Sequence, residues 1–477
     1  ADVETPVSAF LKLARGKPYS FVLESVEGGA VRGRYSFIGL EPDLIWRCQG
    51  NTADINSDAL DDLDAFAPCP VAETEGTIAS LRSLVAESRI DLPEGLPPMS
   101  AGLVGYAAYD TVRLVEDIPD GNPDTLGIPD GVFIRPTVMA VFDTIKDVIS
   151  VFTPIWPRDD VDAQNAYGIA VERLRRIVGD FDTPLPEAAR AHPESDVPNL
   201  SPASNMTQGE FHAMVEKGKE YIKAGDVFQV VLSQRFSVPF PYPPFALYRA
   251  LRRLNPSPFL FFLDFGGFAI VGSSPEILVR MREGKVTIRP IAGTRRRGKD
   301  AAEDQELAND LLTDPKELAE HLMLLDLGRN DVGRVAETGT VTVTEQFNIE
   351  NYSHVMHIVS NVEGKLKPDL DALDALYAGF PAGTVSGAPK VRAMEIIDEL
   401  ENVRRGVYAG CIGYFGADGD MDSCIALRTA VVKDDAMYVQ AGGGVVHDSS
   451  PEGEYQESIN KSRALIRAAE EAVKFAG

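Results

Sequence analysis

Short apolar runs broken by glycine and proline characterise the first 180 residues of the chain. Apolar runs of about four to eight residues between such breaks are typical of strands, whereas apolar residues at intervals of three and four are typical of amphipathic helices. The pattern predicts strands within 19–48, 102–109 and 132–152, and helices over 78–89 and 161–178, the second ending at Gly179.

Residues 181–205 interrupt this pattern with five prolines. A segment so rich in proline and so poor in large apolar residues is typical of a linker. We therefore divide the chain into an N-terminal region of 1–180, a linker of 181–205 and a C-terminal region of 206–477. The last begins with Thr207 and Glu210, a capping-box signature for a helix that ends at Gly225.

The C-terminal region mixes strand and helix patterns irregularly. Because strands and helices do not alternate strictly, the order argues for a mixed α+β fold and against a barrel of parallel strands. The predicted strands cover 227–236, 259–265, 268–272, 286–291, 411–415, 424–432 and 437–441, and the predicted helices cover 300–313, 315–328, 368–376, 387–400 and 452–474.

Charge and composition exclude several classes of protein. The 477 residues include 46 Lys and Arg against 72 Asp and Glu, and the formal net charge of −26 disfavours binding to nucleic acid or to an anionic membrane. An anionic ligand must therefore be held by local donors or by a metal. The four cysteines have no zinc-ligand spacing, and no signal peptide or apolar run of about 18 residues is visible, so we expect a cytoplasmic protein.

Three consecutive glycines, 442–444, precede a predicted helix that carries Glu454, Glu457 and Lys461. Their backbone amides are accessible to an anionic ligand because no Cβ stands in the way. Helical spacing places the three charged side chains on one face, which is commonly solvated surface. Glu320, on another predicted helix, favours a different interpretation, since two carboxylates facing a glycine loop can hold a hard divalent cation against a carboxylate substrate.

Glu276 and His357 are the candidate proton-transfer groups. Glu276 ends the turn 273–276 after a predicted strand, where it either points into a cleft or lies exposed in a proline turn. His357 lies in the strand pattern 355–359 and points opposite its apolar neighbours. It is either a hydrogen-bonded structural histidine or an acid–base group. The small residues of 380–390 line a pocket or form a tight turn.

Two strings favour functions that we reject. The run Arg295-Arg296-Arg297 looks like a phosphate-binding patch, but solvated charges are the commoner outcome. The string His-Pro-Glu-Ser at 192–195 looks like part of a glutamine amidotransferase triad, yet no Gly-x-Cys-x-Gly nucleophile turn occurs in the sequence, and Ala409 replaces its first glycine before Gly410-Cys411. We therefore expect that this chain does not release ammonia from glutamine itself.

Several separate motifs together resemble the chorismate-utilising enzymes. They are PIAGTR at 290–295, DLGRND at 326–331, FPAGTVSGAPK at 380–390, IALRT at 425–429 and the segment 442–461, with LES at 23–25 and GRYSFIG at 33–39 extending the likeness. The resemblance covers about 207–470. It implies an α+β fold of large, mostly antiparallel sheets packed face to face with helices outside, in which 1–180 is regulatory and 206–477 is the catalytic domain.

Two positions indicate which branch of that family this chain resembles. Where the aminodeoxychorismate branch commonly carries a lysine that attacks the ring, this chain has Ala292. Where the isochorismate and salicylate branch carries a lysine that activates water, this chain has Gln229. The resemblance thus implies amination of chorismate at C2 by free ammonia, as in the anthranilate-forming branch. Aminodeoxychorismate synthesis and a non-catalytic tryptophan-binding subunit are the alternatives.

The resemblance also implies a role for each candidate side chain. Glu320 and Glu457 would ligate Mg²⁺, with Glu454 nearby, and the ion would bind the ring carboxylate. The other implied roles are Lys461 and the amides of Gly442, Gly443 and Gly444 on the same carboxylate, Tyr408 and Arg428 on the enolpyruvyl carboxylate, Glu276 as the acid for the C4 hydroxyl, and His357 with Thr384 in the elimination of pyruvate.

A second site, distinct from the first, is implied for tryptophan. The residues that resemble the family's tryptophan pocket are Leu23, Glu24, Ser25, Asn255, Pro256, Ser257, Pro258 and Phe259. They are otherwise ordinary strand–turn segments. Tryptophan bound there would inhibit by favouring a state that binds chorismate poorly. The remaining expected partner is a separate glutamine amidotransferase subunit that supplies ammonia within a hetero-oligomer.

Overall fold

Antiparallel strands form the centre of the molecule, with helices outside them. A computed structural model of the chain describes residues 3–27, 31–157, 161–187, 197–352 and 355–476. Its α-helices are α1 Pro6–Ala14, α2 Pro70–Glu75, α3 Thr77–Glu87, α4 Ala163–Phe181, α5 Gln208–Ala224, α6 Pro244–Leu254, α7 Ala301–Thr313, α8 Pro315–Val335, α9 Ala372–Gly379, α10 Lys390–Leu400 and α11 Pro451–Glu471. Short 3₁₀ helices occupy Tyr109–Leu114, Gly383–Val385 and Ala472–Phe475.

The strands account for most of the remaining regular structure. They are β1 Ser20–Glu24, β2 Val26–Glu27, β3 Val31–Arg32, β4 Tyr35–Gln49, β5 Thr52–Asn56, β6 Ala67–Pro68, β7 Gly102–Ala107, β8 Gly131–Asp143, β9 Val148–Phe152, β10 Ala203–Ser204, β11 Gln229–Pro239, β12 Phe259–Asp264, β13 Ala269–Ser274, β14 Ile277–Arg282, β15 Lys285–Ile288, β16 Ile291–Arg296, β17 Thr342–Asn351, β18 Val355–Lys365, β19 Gly387–Ala388, β20 Cys411–Gly416, β21 Met421–Ile425, β22 Thr429–Lys433 and β23 Ala436–Val445. The predicted α+β class is confirmed.

Hydrogen bonding joins 21 of these strands into one sheet. The main ladder runs β11–β23–β22–β13–β12–β1–β4–β8–β7–β20–β21–β14–β15–β18, with β10 and β19 on β11 and with β16 and β17 on β18. The predicted large sheets are thus parts of a single ladder. Its two ends, β11 with β23 and β16 with β18, face each other across a cavity.

The N-terminal and C-terminal regions share this sheet. β1 lies between β4 and β12, and β7 pairs with β20, so strands of 1–180 are inserted among strands of 206–477. Within the predicted linker, β10 pairs with β11, while 188–196 lie outside the described residues. The string 192–195 lies there too. The proposed domain boundaries stay a prediction.

Local sequence signals set the helices that flank the cavity. The side chain of Thr207 accepts from Glu210 N while Glu210 accepts from Thr207 N, and Gly225 ends α5 in a left-handed conformation, so this prediction is confirmed. Asp314 caps α8, and Ser450 caps α11, each followed by a proline in the first turn. These caps fix where the acidic residues of α8 and α11 begin.

An ion pair holds α8 against α10. Lys390 Nζ lies 2.8 Å from Asp331 Oδ2, and both side chains are only 10% exposed. Because a pair so poorly solvated is costly to break, it fixes the orientation of α8 relative to the 380–390 segment. The DLGRND motif therefore acts here through packing, since Asp326 and Arg329 pair with each other on the exposed side.

Several predicted boundaries were wrong, three of them for identifiable local reasons. Helix α4 continues through Gly179 to Phe181, since one glycine near a helix end costs only about 1 kcal/mol. The predicted strand 424–432 is broken into β21 and β22, because Arg428 adopts a left-handed φ of 48° between them. The glycines 442–444 lie inside β23 and not in a loop. Helices α1 and α6 and strands β14 and β17 were not predicted.

Apolar side chains of both regions fill common cores. Trp46 and Phe133 from the N-terminal region pack with Phe415, and Tyr408 belongs to the same cluster. The segment that carries Tyr408 is therefore held by residues more than 270 positions earlier in the chain. Across the described ranges, no helix has both the length and the apolar character needed to cross a membrane.

Candidate active site

A cavity of about 500 Å³ lies between the two ends of the sheet. Strands β11, β16, β18 and β23 and helices α8 and α11 contribute to its walls. Among the catalytic, substrate-binding and metal-binding candidates from the sequence, all except Gly443 line it: Gln229, Glu276, Ala292, Glu320, His357, Thr384, Tyr408, Arg428, Gly442, Gly444, Glu454, Glu457 and Lys461. Residues from widely separated parts of the chain, from Gln229 to Lys461, therefore share one space.

The glycines form an open strand edge at this cavity. β22 pairs with β23 only as far as Val439, so the later residues of β23 have β11 on one side and the cavity on the other. Val231 N and Ser233 N donate away from β23, to Ser386 O and Glu401 Oε1. The pairs that these residues make with Gly444 and Gly442 are thus not hydrogen-bonded, and strand alternation points the N–H groups of both glycines into the cavity.

Neighbouring side chains explain why these positions are glycine. A Cβ on Gly443 would lie 2.3 Å from Glu454 Oε2, and a Cβ on Gly444 would lie 1.9 Å from Gln229 Nε2. Only glycine permits these approaches without displacing the side chains. The predicted amides belong to a strand and not to a loop, and only those of Gly442 and Gly444 face the cavity.

Glu276 is a buried acid beside Thr384. It follows β13 and is 5% exposed, and Thr384 Oγ1 donates a 2.8 Å hydrogen bond to its Oε1. Burial raises the pKa of Glu276 to about 8, against the lowering effects of Thr384, the Ile291 amide and Arg428. The carboxyl group is therefore largely protonated at neutral pH and has a proton to donate.

His357 is held as a neutral base. Its apolar neighbours on β18, Met356 and Ile358, are fully buried on the other face, as the strand pattern predicts. His357 Nδ1 lies 3.0 Å from Gly293 O, and because a carbonyl only accepts, we assign the proton to Nδ1. Burial lowers the pKa of His357 to about 4, so Nε2 keeps a free lone pair at neutral pH.

Arg428 and Tyr408 provide the groups for a second anion. Among the described residues, the guanidinium of Arg428 has no hydrogen bond or ion pair, although it lines the cavity close enough to Glu276 and Tyr352 to interact with their charges. Burial lowers the pKa of Arg428. Burial also raises the pKa of Tyr408 to about 12, so its hydroxyl stays protonated. A guanidinium without a partner among the described residues and a protonated phenol in one cavity suit a carboxylate.

Acidic side chains from α8 and α11 meet at the opposite end of the cavity. Burial raises the pKa of Glu320, and the charges of Glu317 and Glu457 raise it further. Glu454 Oε2 is buried without a hydrogen-bond partner among the described residues. Lys461 Nζ contacts Glu457 Oε1 at 2.7 Å and Gly442 O at 2.9 Å. A cation placed here would relieve the repulsion between the carboxylates.

These carboxylates suit a divalent cation that retains water. Over the described ranges, no group of three or more His, Cys, Asp or Glu side chains converges closely enough to enclose a metal ion. Mg²⁺ does not need such a group, because it usually keeps several waters and binds through one or two carboxylates plus substrate oxygens. The orphaned oxygen of Glu454 and the facing Glu320 and Glu457 fit that pattern.

Comparison with known proteins identifies the family. The family model described as chorismate binding enzyme matches residues 36–467. Anthranilate synthase component 1 of Cereibacter sphaeroides is 58% identical over 477 residues, covering 100% of this chain and 94% of that protein. The chain belongs to the chorismate-binding enzyme family. The resemblance seen in the motifs is thereby confirmed.

Two more relatives support the assignment along the whole chain. Anthranilate synthase component 1 of Aquifex aeolicus is 47% identical, covering 98% of this chain and 93% of that protein. The crystal structure of anthranilate synthase component I from Streptococcus pneumoniae has a TM-score of 0.78 and 39% identity, covering 91% of this chain and 92% of that one. The fold expected of a chorismate-binding enzyme is confirmed.

This chorismate-binding enzyme has a second and larger cavity of about 1040 Å³. Leu23, Glu24 and Ser25 line it together with Pro258 and Phe259, because β1 and β12 are paired neighbours in the sheet. The two predicted pieces of the tryptophan pocket therefore meet. Tyr414 and Cys424, which sequence reasoning missed, also line this cavity.

Three of the predicted tryptophan-pocket residues have structural contacts of their own. Glu24 accepts hydrogen bonds from Arg252 and Tyr248, while Asn255 and Ser257 bond to β13 through Ser273 and the Ser274 carbonyl. Asn255, Pro256 and Ser257 do not line the cavity. Pro275 and Ile291 line both cavities, so one thin wall separates them.

Sequence reasoning missed several residues of the first cavity. Thr294, which lines it, has its Oγ1 3.0 Å from His357 Nδ1. Tyr352, which lines the larger cavity instead, packs its ring edge-on against His357 at 5.3 Å. Lys316 and Glu317 line the cavity from the first turn of α8. Thr294 belongs to the PIAGTR motif, but nothing in the sequence indicated that it contacts His357. That contact depends on the pairing of Thr294 with His357 on β18, which the sequence does not reveal.

The arginine run is paired with acidic side chains. Arg295 pairs with Asp310, Asp314 and Glu317, Arg296 pairs with Glu303, and Arg297 pairs with Asp304. Each guanidinium already has a carboxylate partner. The run expected to be solvated charge is thus ion-paired, with the side chain of Arg296 62% exposed and that of Arg295 only 22% exposed.

Proposed function

We propose that this chain converts chorismate and ammonia to anthranilate, pyruvate and water, as component 1 of an anthranilate synthase. One observation carries the proposal: the protonated acid Glu276 and the neutral base His357 line the same cavity as the guanidinium of Arg428, which has no partner among the described residues. Relatives named anthranilate synthase component 1 with 47% to 58% identity over nearly the full chain support it.

Two anion sites would hold the dicarboxylate substrate. Arg428 and Tyr408 would bind the enolpyruvyl carboxylate, and the N–H groups of Gly442 and Gly444 with Lys461 would bind the ring carboxylate. The distance between these groups across the cavity sets the orientation of the ring. The absence of a lysine at Ala292 and Gln229 leaves space for ammonia at C2.

The first half of the reaction would depend on Glu276. The nitrogen of ammonia bonds to C2, the ring double bonds shift, and the C4–O bond breaks. Glu276 gives its proton to the departing hydroxyl, which leaves as water, and the carboxylate regains a proton from the new ammonium group. Thr384 keeps Oε1 of Glu276 fixed during this transfer.

The second half would depend on His357. Its Nε2 lone pair takes the proton from C2 as the C3–O bond breaks, and the enolpyruvate that leaves takes up a proton on its methylene carbon to become pyruvate. Gly293 and Thr294 hold the ring so that Nε2 stays free. Formation of the aromatic ring drives this step, so the protein has mainly to orient groups and exclude water.

The acidic end of the cavity would hold Mg²⁺ through Glu320 and Glu457, with Glu454 nearby. When bound, the ion would neutralise the ring carboxylate of the substrate. Without such a charge, the four carboxylates at this end of the cavity, those of Glu317, Glu320, Glu454 and Glu457, would repel an anionic ligand. Among the described residues, Lys316 and Lys461 are the only cations that line this end of the cavity.

Product analysis of the chain alone tests the proposal. Purified protein is mixed with chorismate, an ammonium salt and Mg²⁺, and products are followed by anthranilate fluorescence and by mass. Anthranilate with an equal amount of pyruvate is expected. An aminated product that retains the enolpyruvyl group would indicate aminodeoxychorismate synthesis. Folded protein that binds tryptophan yet forms no product would indicate the non-catalytic subunit.

We infer that the second cavity binds tryptophan as an inhibitor. The meeting of Leu23 and Ser25 with Phe259 in a space far larger than a water molecule supports this, and the shared wall at Pro275 and Ile291 offers a physical link to Glu276. Calorimetric titration with tryptophan tests it. Binding that weakens when chorismate is present is expected, since the coupling must be reciprocal.

A separate amidotransferase would supply ammonia from glutamine. The designation component 1 in the relatives supports the existence of a second component. Replacing the ammonium salt with glutamine tests this directly. The chain alone is expected to form no anthranilate from glutamine, while it remains active with ammonium.

A further inference from the structure

A buried ion pair lies directly behind three walls of the active cavity. Arg405 is 2% exposed, and it forms a two-point contact with Glu401 through Nε at 2.9 Å and Nη2 at 2.6 Å. Arg405 is not among the described residues that line the cavity. It therefore has no direct route to the substrate.

Three further contacts of Arg405 reach residues that line the cavity, whereas Tyr109, whose ring centre lies 4.9 Å from the guanidinium, does not line it. Nη1 donates to Val385 O at 2.6 Å, and Nη2 donates to Val231 O at 2.7 Å. The guanidinium also lies 5.4 Å from the ring centre of Tyr408, a cation–π distance. Val231, Val385 and Tyr408 belong to three different segments, and all three line the cavity.

Glu401 extends the same network to the glycine strand. Its Oε1 accepts from Ser233 N at 2.9 Å and from Ser233 Oγ at 2.7 Å. Ser233 is the partner of Gly442 across the β11–β23 ladder. Because Glu401 accepts from the N–H of Ser233, that N–H points away from β23. The pair of Ser233 with Gly442 is then not hydrogen-bonded, and the amides of Gly442 and Gly444 face the cavity.

We propose that Arg405 is a positioning residue that sets the distance between the two anion sites by joining Tyr408, the Thr384–Val385 turn and strand β11. This inference rests on the proposed function. A lysine cannot replace the planar fork, because an ammonium group has no second face to stack and only three donors from one point. Replacement of Arg405 by lysine would therefore shift Tyr408 relative to Gly442.

Kinetics of Arg405→Lys test the proposal. A role confined to stability lowers the amount of active enzyme, which reduces kcat and leaves KM for chorismate unchanged. Positioning predicts a rise in KM for chorismate of about tenfold or more, with ammonium KM changed by less than about twofold. An unchanged KM for chorismate in folded Arg405→Lys would overturn it.

The chain offers a matched control and a second variant. Arg135 also makes a two-point contact, with Asp43 at 2.8 and 2.9 Å, and stacks 4.5 Å from the Trp156 ring, but neither partner lines the cavity. Arg135→Lys is expected to leave KM unchanged, and a similar rise there would overturn the proposal.

If Arg405→Lys does not fold, Glu401→Gln provides the same readout, because glutamine keeps the acceptor for Ser233 but loses the charge that holds Arg405. A raised KM supports the proposal, and an unchanged one contradicts it. Wild-type protein is measured in parallel. Absence of product from wild type overturns the proposed function and this inference together, whereas an active wild type with an unaltered variant KM overturns only the inference.

Discussion

Thr384 donates a 2.8 Å hydrogen bond to Glu276 Oε1, although 108 residues separate the two. Thr384 sits in the 3₁₀ turn Gly383–Val385, and Glu276 follows strand β13. The contact joins the segment 380–390 to the far wall of the cavity.

Replacing Glu276 by glutamine should remove the proton donor without changing shape. We expect kcat to fall by about 10²- to 10³-fold while KM for chorismate changes little. Anthranilate fluorescence under saturating ammonium measures the effect. Retention of more than about a tenth of wild-type kcat would contradict the assignment of Glu276 as the acid.

The pH dependence of kcat follows from the same carboxyl group. Because burial raises the pKa of Glu276 to about 8, the acid form is present below that pH and is lost as the pH rises through it. We therefore expect kcat to decline above about pH 8. The rate is compared at constant free ammonia, since ammonium also titrates at alkaline pH. A flat profile from pH 7 to 9 would argue against this acid.

His357 should make folding sensitive to acid. Burial lowers its pKa from 6.5 to about 4, so between these values the unfolded chain binds a proton that the folded chain does not. The stabilisation is present above pH 6.5 and is lost as the pH falls toward 4, with a total of about 3 kcal/mol. Denaturant unfolding of wild type and His357→Asn at several pH values measures it. The stability difference between them should shrink on acidification, and a constant difference would exclude this cause.

Alanine at Gly443 should weaken the cation site. Its Cβ would lie 2.3 Å from Glu454 Oε2 and 3.3 Å from Glu457 Oε1, so both carboxylates must move. We expect the Mg²⁺ concentration for half-maximal activity to rise by about tenfold or more. Gly168→Ala is the control, because a Cβ there meets nothing within 4 Å. Equal Mg²⁺ dependence in both variants would rule out the proposed ligands.

Truncation of Phe259 should relieve inhibition by tryptophan. Phe259 forms part of the apolar wall of the larger cavity and does not line the smaller one. Loss of about 1.5 to 3 kcal/mol of apolar contact predicts that Phe259→Ala needs about tenfold more tryptophan for half inhibition. Activity without tryptophan should stay within about twofold of wild type. A variant that keeps full sensitivity would place tryptophan elsewhere.

The sequence predicted elements better where one local signal decided the structure. The capping box of Thr207 and Glu210 predicted the start of α5 and the hydrogen bonds that cap it. The alternation of side chains along a strand predicted that His357 lies on the face opposite Met356 and Ile358. The prediction of a loop at glycines 442–444 was wrong, because glycine is usually depleted in strands. Here it is required by the close approach of Glu454 and Gln229, which only the folded chain reveals.

Motifs located most of the site, whereas supporting contacts could not be predicted. Thr294 touches His357 only because β16 pairs with β18, and Arg405 reaches Val231 and Val385 only after distant segments assemble. Such contacts depend on strand register and burial, not on spacing along the chain. The low pKa of His357 and the high pKa of Glu276 likewise follow from burial.

The open edge of β23 has a consequence for the entropy of ligand binding. Its outward N–H groups take their direction when the ladder with β11 forms, long before any anion arrives. These two donors are ordered before the ligand binds, so little ordering entropy opposes their contact with the ring carboxylate, although Lys461 must still be oriented. The receptor for the ring acid is therefore as rigid as the sheet that carries it.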